Sequence, residues 1–272
     1  MQVKCIDVFK MLLLTNDDGV YSPGLVSQAK ALRKVADINV VAPRGAQSSS
    51  GMSITFHRPV SISEIKQGWY EATAVTGTPS DCVFVSVHKL FKRKKIDMIV
   101  SGINLGENVS MQSFFSSGTV SAAMSGSIIG IKSIAFSKEI PQDHPHLYEK
   151  DFTIASWWSA KIVSFLIKNG FPPGVDLLNV NYPLNVSKNT ELKLTSMASE
   201  VFEDYVVGRR DPRGNRYFWL AGNKKVVPAK NTDAHVTLNE GKISITPISI
   251  HSIQLQASES VHKHLSPLLG GS

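Results

Sequence analysis

The sequence has few cysteines and no long apolar run. Only Cys5 and Cys82 occur among the 272 residues, too few for a disulfide framework or a C-x-x-C metal site. No apolar stretch approaches the roughly 20 residues that a membrane-spanning helix needs. The first ten residues also lack the long apolar segment and cleavage site of a secretory signal. We therefore expect a cytoplasmic protein with reduced thiols and no membrane partner.

Acidic residues are fewer than basic ones. The chain has 22 Asp and Glu against 29 Lys and Arg, which gives a formal charge of +7. A positive charge suits an anionic partner, but the basic residues are dispersed, and the one dense run is residues 92–95. That run lies between a helix-like and a strand-like stretch, where we expect a solvated loop. No stable nucleic-acid partner is expected, although the charge agrees with a phosphate-bearing substrate.

Short apolar runs alternate with amphipathic stretches along the first half of the chain. This alternation is typical of βαβ units and predicts an α/β fold with a mainly parallel sheet. From residue 191 onward the pattern changes to strands and turns, which we expect to lie outside the core sheet until a last core strand returns. Projecting hairpins are expected at about residues 201–227. Core strands are predicted at residues 11–14, 38–41, 97–100, 133–136, 177–180 and 243–250, hairpin-like strands at 54–65 and 69–75, and helices at 25–35, 79–90, 119–129 and 151–168.

Polar clusters follow three of these strands, and ligands bind at the carboxyl ends of strands in open parallel sheets. Asp17 and Asp18 come directly after the first strand, and two adjacent carboxylates repel one another unless a cation or hydrogen-bond donors compensate them. The alternative is that one of them caps the following helix. Residues 48–51 follow the second strand and Asn104 follows a later one; alone, each is typical of a turn.

Together the three loops supply only oxygen ligands, which suit Mg²⁺ or Mn²⁺ and do not suit structural zinc. Ser117, Gly118 and Thr119 open the next helix, whose free amides can hold a phosphoryl group, although a Ser or Thr N-cap also explains them. Thr78 is a candidate substrate contact, although N-capping before Pro79 is sufficient to explain it. The eight histidines form no H-x-x-x-H pair on a predicted helix.

Several motifs in order resemble the SurE survival-protein family. They are residues 14–19, 41–43 with Ser48 five positions beyond Pro43, 76–82, 101–106 and 117–120, followed by 211–214, 232–234 and 244–248. The resemblance runs from about Met11 to Ile248. It leaves residues 1–10 as an N-terminal extension and residues 11–272 as one family-like domain.

The resemblance implies a Rossmann-like three-layer α/β core and a metal-dependent 5′-nucleotidase. It implies Asp17, Asp18, Ser48 and Asn104 as ligands of one divalent ion per subunit, Mg²⁺ or Mn²⁺. It further implies hydrolysis of nucleoside 5′-monophosphates, with 3′-monophosphates and short polyphosphate as further substrates. A swapped C-terminal hairpin would build a homodimer or homotetramer.

Our hypothesis for catalysis is in-line attack on phosphorus by a water molecule that Asp17 or Asp18 orients. Asn16, Asn104 and the amides near Gly118 and Thr119 would stabilise the charge that develops on the phosphoryl oxygens. The main rival is a nucleotide-binding module without chemistry, because such anion sites need no metal. A nucleic-acid-binding protein and a phosphotransferase are further alternatives, but there is no G-x-x-x-x-G-K-[ST] loop for a triphosphate donor.

Overall fold

The chain folds around a nine-stranded sheet with helices on both faces. A computed structural model describes residues 10–141, 147–224 and 227–250. Most neighbouring strands of the sheet run parallel, and a two-stranded antiparallel hairpin forms a separate sheet. The predicted three-layer α/β fold with a C-terminal hairpin is confirmed.

The helices and strands follow one another in a βα alternation over the first half of the chain. The strands are β1 (Met11–Thr15), β2 (Asp37–Pro43), β3 (Ile62–Gln67), β4 (Tyr70–Val75), β5 (Met98–Leu105), β6 (Ser133–Lys138), β7 (Leu177–Tyr182), β8 (Leu192–Leu194), β9 (Phe202–Arg210), β10 (Arg216–Lys224) and β11 (Ile243–Ile248). The α-helices are α1 (Pro23–Leu32), α2 (Pro79–Val85), α3 (Ser110–Ser116), α4 (Gly118–Ile128) and α5 (Thr153–Asn169).

The strand order places β1 at the point where the chain changes direction across the sheet. The order is β3-β4-β2-β1-β5-β6-β7-β11-β8, and the six strands from β4 to β7 are parallel. The connection from β1 leads to β2 on one side, and β5 is the neighbour on the other. Ligands of doubly wound sheets bind at such a switch point, outside the carboxyl ends of the strands.

Both faces of the sheet are covered. Leu12 and Leu14 of β1 pack in the cluster that includes α1 and α5, whereas Met11 and Leu13 pack in the cluster that includes α2. Successive side chains of a strand point to opposite faces, so a strand buried on both sides is apolar throughout. This explains why the first strand is a continuous apolar run.

β5 is longer than predicted, and the chain between the predicted strand at 97–100 and the predicted helix at 119–129 is largely structured. The strand continues to Leu105 through a register shift between Ser101 and Asn104, and α3 fills much of the remainder. Gly102 allows this course, because its φ is +127° and a Cβ there would lie 2.2 Å from the carbonyl oxygen of Phe136. A short-range polar pattern cannot reveal that close approach.

Two predictions about the later and outer strands are wrong. Residues 54–61 form no strand; Thr55 instead donates its backbone N–H to the carboxylate of Asp81 at 2.9 Å. The residues after 191 were expected to lie outside the core sheet until the last core strand, but β8 pairs with β11 at the edge of that sheet. The remaining boundaries differ by a few residues, and the predicted helix at 79–90 is α2 continued by a π-helical turn at Ser86–Leu90.

Two surface predictions have clear outcomes. Residues 92–95 form an exposed turn, which confirms the solvated loop. The expected projection at residues 201–227 is a single hairpin of β9 and β10. No helix in the described ranges has both the length and the apolar character needed to cross a membrane.

Candidate active site

The loop that leaves β1 is held by Asn16. Its side-chain NH₂ donates to the carbonyl of Gly19 at 3.1 Å, and its side-chain oxygen accepts the Gly19 N–H at 3.3 Å. Asn16 is fully buried. Because both polar ends of the side chain are used within the loop, Asn16 fixes the position of the two aspartates that follow. Its expected contact with substrate stays a prediction.

Asp17 lies against the beginning of α4. The hydroxyl of Thr119 donates to Asp17 Oδ1, and the backbone amides of Gly118 and Thr119 lie close enough to the same carboxylate to oppose the rise of its pKa. Ser117 is the N-cap of α4 and accepts the N–H of Val120 at 3.1 Å. The capping alternative is therefore confirmed for Ser117. The amides expected to hold a phosphoryl group contact Asp17 in this structure.

Gly118 is the point of closest approach between this helix and the β1 loop. A Cβ added there would lie 2.7 Å from Asp17 Cβ and 2.8 Å from Ser50 Oγ. Real Cβ atoms do not approach other heavy atoms so closely, so a side chain would push the loops apart. The glycine is required because α4, the carboxylate loop and the serine loop meet here.

The end of β5 completes the arrangement. The Leu105 N–H donates to Asp18 Oδ2 at 3.0 Å. The Thr119 hydroxyl oxygen lies 3.4 Å from Asn104 Oδ1, while the Asn104 NH₂ donates to the carbonyl of Gly106 at 2.8 Å. The bulge in β5 thus brings the neutral carbonyl oxygen of Asn104 close to the Thr119 hydroxyl that donates to Asp17, and its role as a ligand stays a prediction.

The two carboxyl groups carry more negative charge than their surroundings compensate. Burial raises the pKa of Asp17, against the opposing hydrogen bonds from Thr119 and the α4 amides. Burial, and then the charge of Asp17, raise the pKa of Asp18 to about 7, opposed by the Leu105 amide. Within the described residues, neither forms an ion pair with a basic side chain. A bound cation would compensate this negative charge.

The serine loop after β2 offers two candidate hydroxyls. The loop is held to the β1 loop by the Gln47 N–H, which donates to the carbonyl of Asp17 at 2.7 Å. Ser48 is exposed, whereas Ser50 Oγ is buried beside Gly118 and has no hydrogen-bond partner in the described chain. Ser48 as a ligand stays a prediction, and Ser50 is a further candidate that the sequence alone did not separate from its neighbours.

Thr78 supports the serine loop from the other side. Its hydroxyl accepts the N–H of Asp81 at 3.1 Å and donates to the carbonyl of Ser53 at 2.7 Å. The capping explanation is confirmed, since Thr78 and Asp81 form a complete capping box at the start of α2. Its predicted role as a substrate contact stays a prediction.

The residues that meet here fit a hard divalent cation. Asp17, Asp18, Asn104 and a loop serine offer carboxylate, amide and hydroxyl oxygens, the ligands that Mg²⁺ and Mn²⁺ prefer. The buried and unpartnered Ser50 hydroxyl beside Asp17 is an observation that a nearby cation would explain. Within the described ranges no three His, Cys, Asp or Glu side chains cluster as metal ligands, so the neutral oxygens would be essential to such a site.

Comparison with known sequences identifies one family. The family model described as "Survival protein SurE" matches residues 12–204. The chain is 36% identical over 248 residues to "5'-nucleotidase SurE" of Methanothrix thermoacetophila, covering 89% of this chain and 94% of that protein. It is 37% identical over 240 residues to "5'-nucleotidase SurE" of Picrophilus torridus, covering 88% and 91% respectively.

A solved structure gives the same result. The chain superimposes on the crystal structure of the SurE protein from Aquifex aeolicus with a TM-score of 0.76 and 30% sequence identity. The match covers 95% of this chain and 99% of that one. The similarity therefore extends over nearly the whole of both proteins, including the strands that carry the carboxylate and asparagine loops.

Proposed function

The chain belongs to the SurE family of survival proteins, and we propose that it is a divalent-metal-dependent phosphatase that hydrolyses nucleoside 5′-monophosphates to nucleoside and phosphate. The curated relatives are named 5′-nucleotidases, and this name agrees with the proposed activity. The observation that carries the proposal is the pair of adjacent carboxylates, Asp17 and Asp18, whose pKa values are both raised by burial. Such a pair at a sheet switch point suits a cation and a phosphate ester better than it suits a structural role.

In this proposal Asp17, Asp18, Asn104 and Ser48 hold one Mg²⁺ or Mn²⁺ per subunit, with Ser50 as the further hydroxyl candidate. When bound, such an ion supplies Lewis-acid polarisation of the phosphoryl oxygens. Two observations support this site. The candidate ligand atoms are all oxygens. Within the described protein, Asp18 accepts a single hydrogen bond, from the Leu105 N–H.

The side chains of the protein position the reacting groups. Thr119 donates its hydroxyl proton to Asp17, and the same hydroxyl oxygen lies 3.4 Å from Asn104 Oδ1, so one residue lies next to two of the proposed ligand oxygens. The Leu105 amide holds one oxygen of Asp18, which leaves the other oxygen to orient the attacking water. Asn16, Asn104 and the amides of Gly118 and Thr119 are the groups we propose to stabilise charge on the phosphoryl oxygens.

The finer substrate range is also part of the proposal. We propose that 3′-monophosphates and short polyphosphate are further substrates, and that Ser117 and Thr78 lie along the substrate path. Both residues have structural roles in caps, so their removal should change the position of the loops as well as any direct contact. A cytoplasmic location stays a prediction from the sequence.

We propose a homodimer or homotetramer that forms through the β9–β10 hairpin. The hairpin is a separate sheet and exposes large apolar side chains, with Trp219 62% and Leu220 85% exposed. Exposed apolar groups of this size on a projecting element are typical of an interface. Leu220→Glu should lower the solution mass toward that of one chain, measured by light scattering, whereas Ile128→Glu on α4 should not. An unchanged mass for Leu220→Glu would contradict this interface.

The function is tested by phosphate release. The substrates are nucleoside 5′- and 3′-monophosphates, a short polyphosphate and an aryl phosphate, each assayed with EDTA and then with Mg²⁺ or Mn²⁺ restored. We expect turnover that disappears on chelation, returns with metal and is highest on a 5′-monophosphate. Binding of nucleotide without turnover under any metal would instead favour the nucleotide-binding module.

A further inference from the structure

A groove lies between α1 and α5, on the flank of the sheet. Its volume is about 640 Å³, within the range typical of small-molecule sites. The floor consists of small side chains from the two helices, and the hydroxyls of Ser27 and Ser156 meet there at 2.9 Å.

The walls of the groove are positively charged. Lys30, Lys34 and Lys161 line it, with Glu149 as the acidic lining residue. Glu149 is already engaged, because Lys30 Nζ lies 2.8 Å from its carboxylate. Lys34 and Lys161 make no ion pair with a carboxylate among the described residues. Lys34 and Lys161 therefore line the groove without a carboxylate partner, although Lys161 Nζ also lies 4.5 Å from the ring centroid of Trp158.

An exposed indole lies beside these lysines. Trp157 is 36% exposed, and the Nζ atoms of Lys161 and Lys188 lie 5.2 and 5.6 Å from its ring centroid. Its neighbour Trp158 differs, because it is 5% exposed and donates its indole N–H to Ser187 at 2.8 Å. Trp158 is a core residue, whereas Trp157 presents ring surface and concentrates positive charge at the groove.

We propose that this groove is a second binding site for a nucleoside phosphate, separate from the catalytic centre. The phosphate groups lie against Lys34 and Lys161, and the base lies against the exposed part of Trp157. Basic side chains that contact phosphate, next to an aromatic ring on which a base can stack, are a combination that binds nucleotides whichever base they carry. A purely inorganic polyanion would use the lysines and gain nothing from the indole.

The groove does not overlap with the catalytic loops. The catalytic carboxylates precede the first residue of α1, while the groove is lined by the middle of that helix and the turn after it, from Ser27 to Val35. Variants in the groove therefore leave the phosphatase residues intact, and binding at the groove can be measured independently of turnover.

The test is a titration of the ¹⁵N-tryptophan-labelled protein with adenosine 5′-monophosphate in EDTA, followed by NMR of the indole N–H signals. The four tryptophans give separate signals, and Trp157→Phe assigns the one of interest. We expect a saturable shift of the Trp157 signal. Lys34→Glu combined with Lys161→Glu should weaken this binding at least about tenfold, because both charges next to the phosphate are reversed.

The matched control carries the same charge change elsewhere. Lys92→Glu combined with Lys94→Glu alters the exposed basic turn, and we expect binding within about twofold of the unchanged protein. No Trp157 shift, or equal weakening by both double variants, would overturn the proposal. Equal affinity for inorganic triphosphate would refute the proposed contact between the base and Trp157. Tighter binding of a single-stranded oligonucleotide than of the mononucleotide would show that the groove is a nucleic-acid surface instead. Phosphatase turnover is assayed separately, so failure of the groove and failure of the catalytic proposal are distinguishable.

Discussion

Two regions of the molecule bury carboxylates, and they do so in opposite ways. Asp233 accepts three backbone N–H groups: Ala198 and Ala234 donate to Oδ1 at 2.8 Å each, and Ser110 donates to Oδ2 at 3.0 Å. Asp18 accepts one backbone N–H, from Leu105, and stands next to a second carboxylate. Burial raises the pKa of both groups.

The difference separates a structural carboxylate from the one that we propose to be functional. Asp233 joins the start of α3 to the chain around residues 198 and 234, so its oxygens are used by the fold. Within the described residues one oxygen of Asp18 has no protein donor, and a second carboxylate lies beside it, an arrangement that the fold tolerates only if another ligand compensates the charge. Changes at the two positions should therefore affect different properties of the protein.

The largest expected effect is on catalysis at Asp18. Asp18→Asn should lower turnover of a nucleoside 5′-monophosphate at least about a hundredfold at saturating Mg²⁺ or Mn²⁺, because a neutral amide is a poor ligand and a poor partner for the attacking water. The measurement is steady-state phosphate release. Asp233→Asn is the matched control and should retain turnover within about threefold. Similar losses in both variants would remove the proposed distinction.

The next effect concerns the contact that holds the functional region together. Gly118→Ala should lower turnover about tenfold or more, because the added Cβ meets Asp17 and Ser50 at less than 3 Å and displaces the loops. Gly45→Ala is the control, since a Cβ there meets no atom within 4 Å. Wild-type turnover in Gly118→Ala would show that the position of these loops does not limit the reaction.

The structural region should respond in stability. Asp233→Ala leaves three N–H groups without their acceptor and should lower the free energy of unfolding by about 2 kcal/mol or more. Turnover of the protein that remains folded should be unchanged. Urea unfolding measures the loss, with exposed Asp37→Ala expected to change stability by no more than about 0.5 kcal/mol. A small cost at Asp233 would mean that its three hydrogen bonds contribute little.

The smallest effect is a pH dependence at Asp233. Burial raises its pKa in the folded state, so the folded protein holds the proton more tightly than the unfolded chain does. The stability that this contributes is present below the ordinary pKa of 3.8 and is lost as the pH rises through the folded value. In EDTA, the stability of the unchanged protein relative to Asp233→Asn should therefore fall as the pH rises above 3.8. A rise would reverse the sign and contradict the burial argument.

The sequence indicated the proposed catalytic carboxylates more readily than it indicated the structural role of Asp233. Asp17 and Asp18 are adjacent in the chain and directly follow an apolar strand, so a local pattern was sufficient to find them. Residues 232–234 were found only as a family motif, and the structural role of Asp233 was not predicted, because two of its three donors lie 123 and 35 residues away and no local pattern indicates them. Ser50 could not be separated from Ser48, because the direction of a loop hydroxyl depends on the approach of Gly118.

The same limit explains the errors in the fold. The early βα alternation was predicted because each element carries its own periodicity. The end of β5 was missed, because it depends on a glycine with positive φ that packs against Phe136 in the neighbouring strand. The place of β8 at the sheet edge depends on pairing with β11, which lies about 50 residues further along the chain.

The most direct test of the account is the binding of Mn²⁺, measured by equilibrium dialysis on the unchanged protein, Asp18→Asn and Asp233→Asn. We predict one ion per chain for the unchanged protein and for Asp233→Asn, and loss of that ion in Asp18→Asn. Equal binding by all three proteins, or no binding by the unchanged protein, would contradict the claim that the carboxylates after β1 form the metal site.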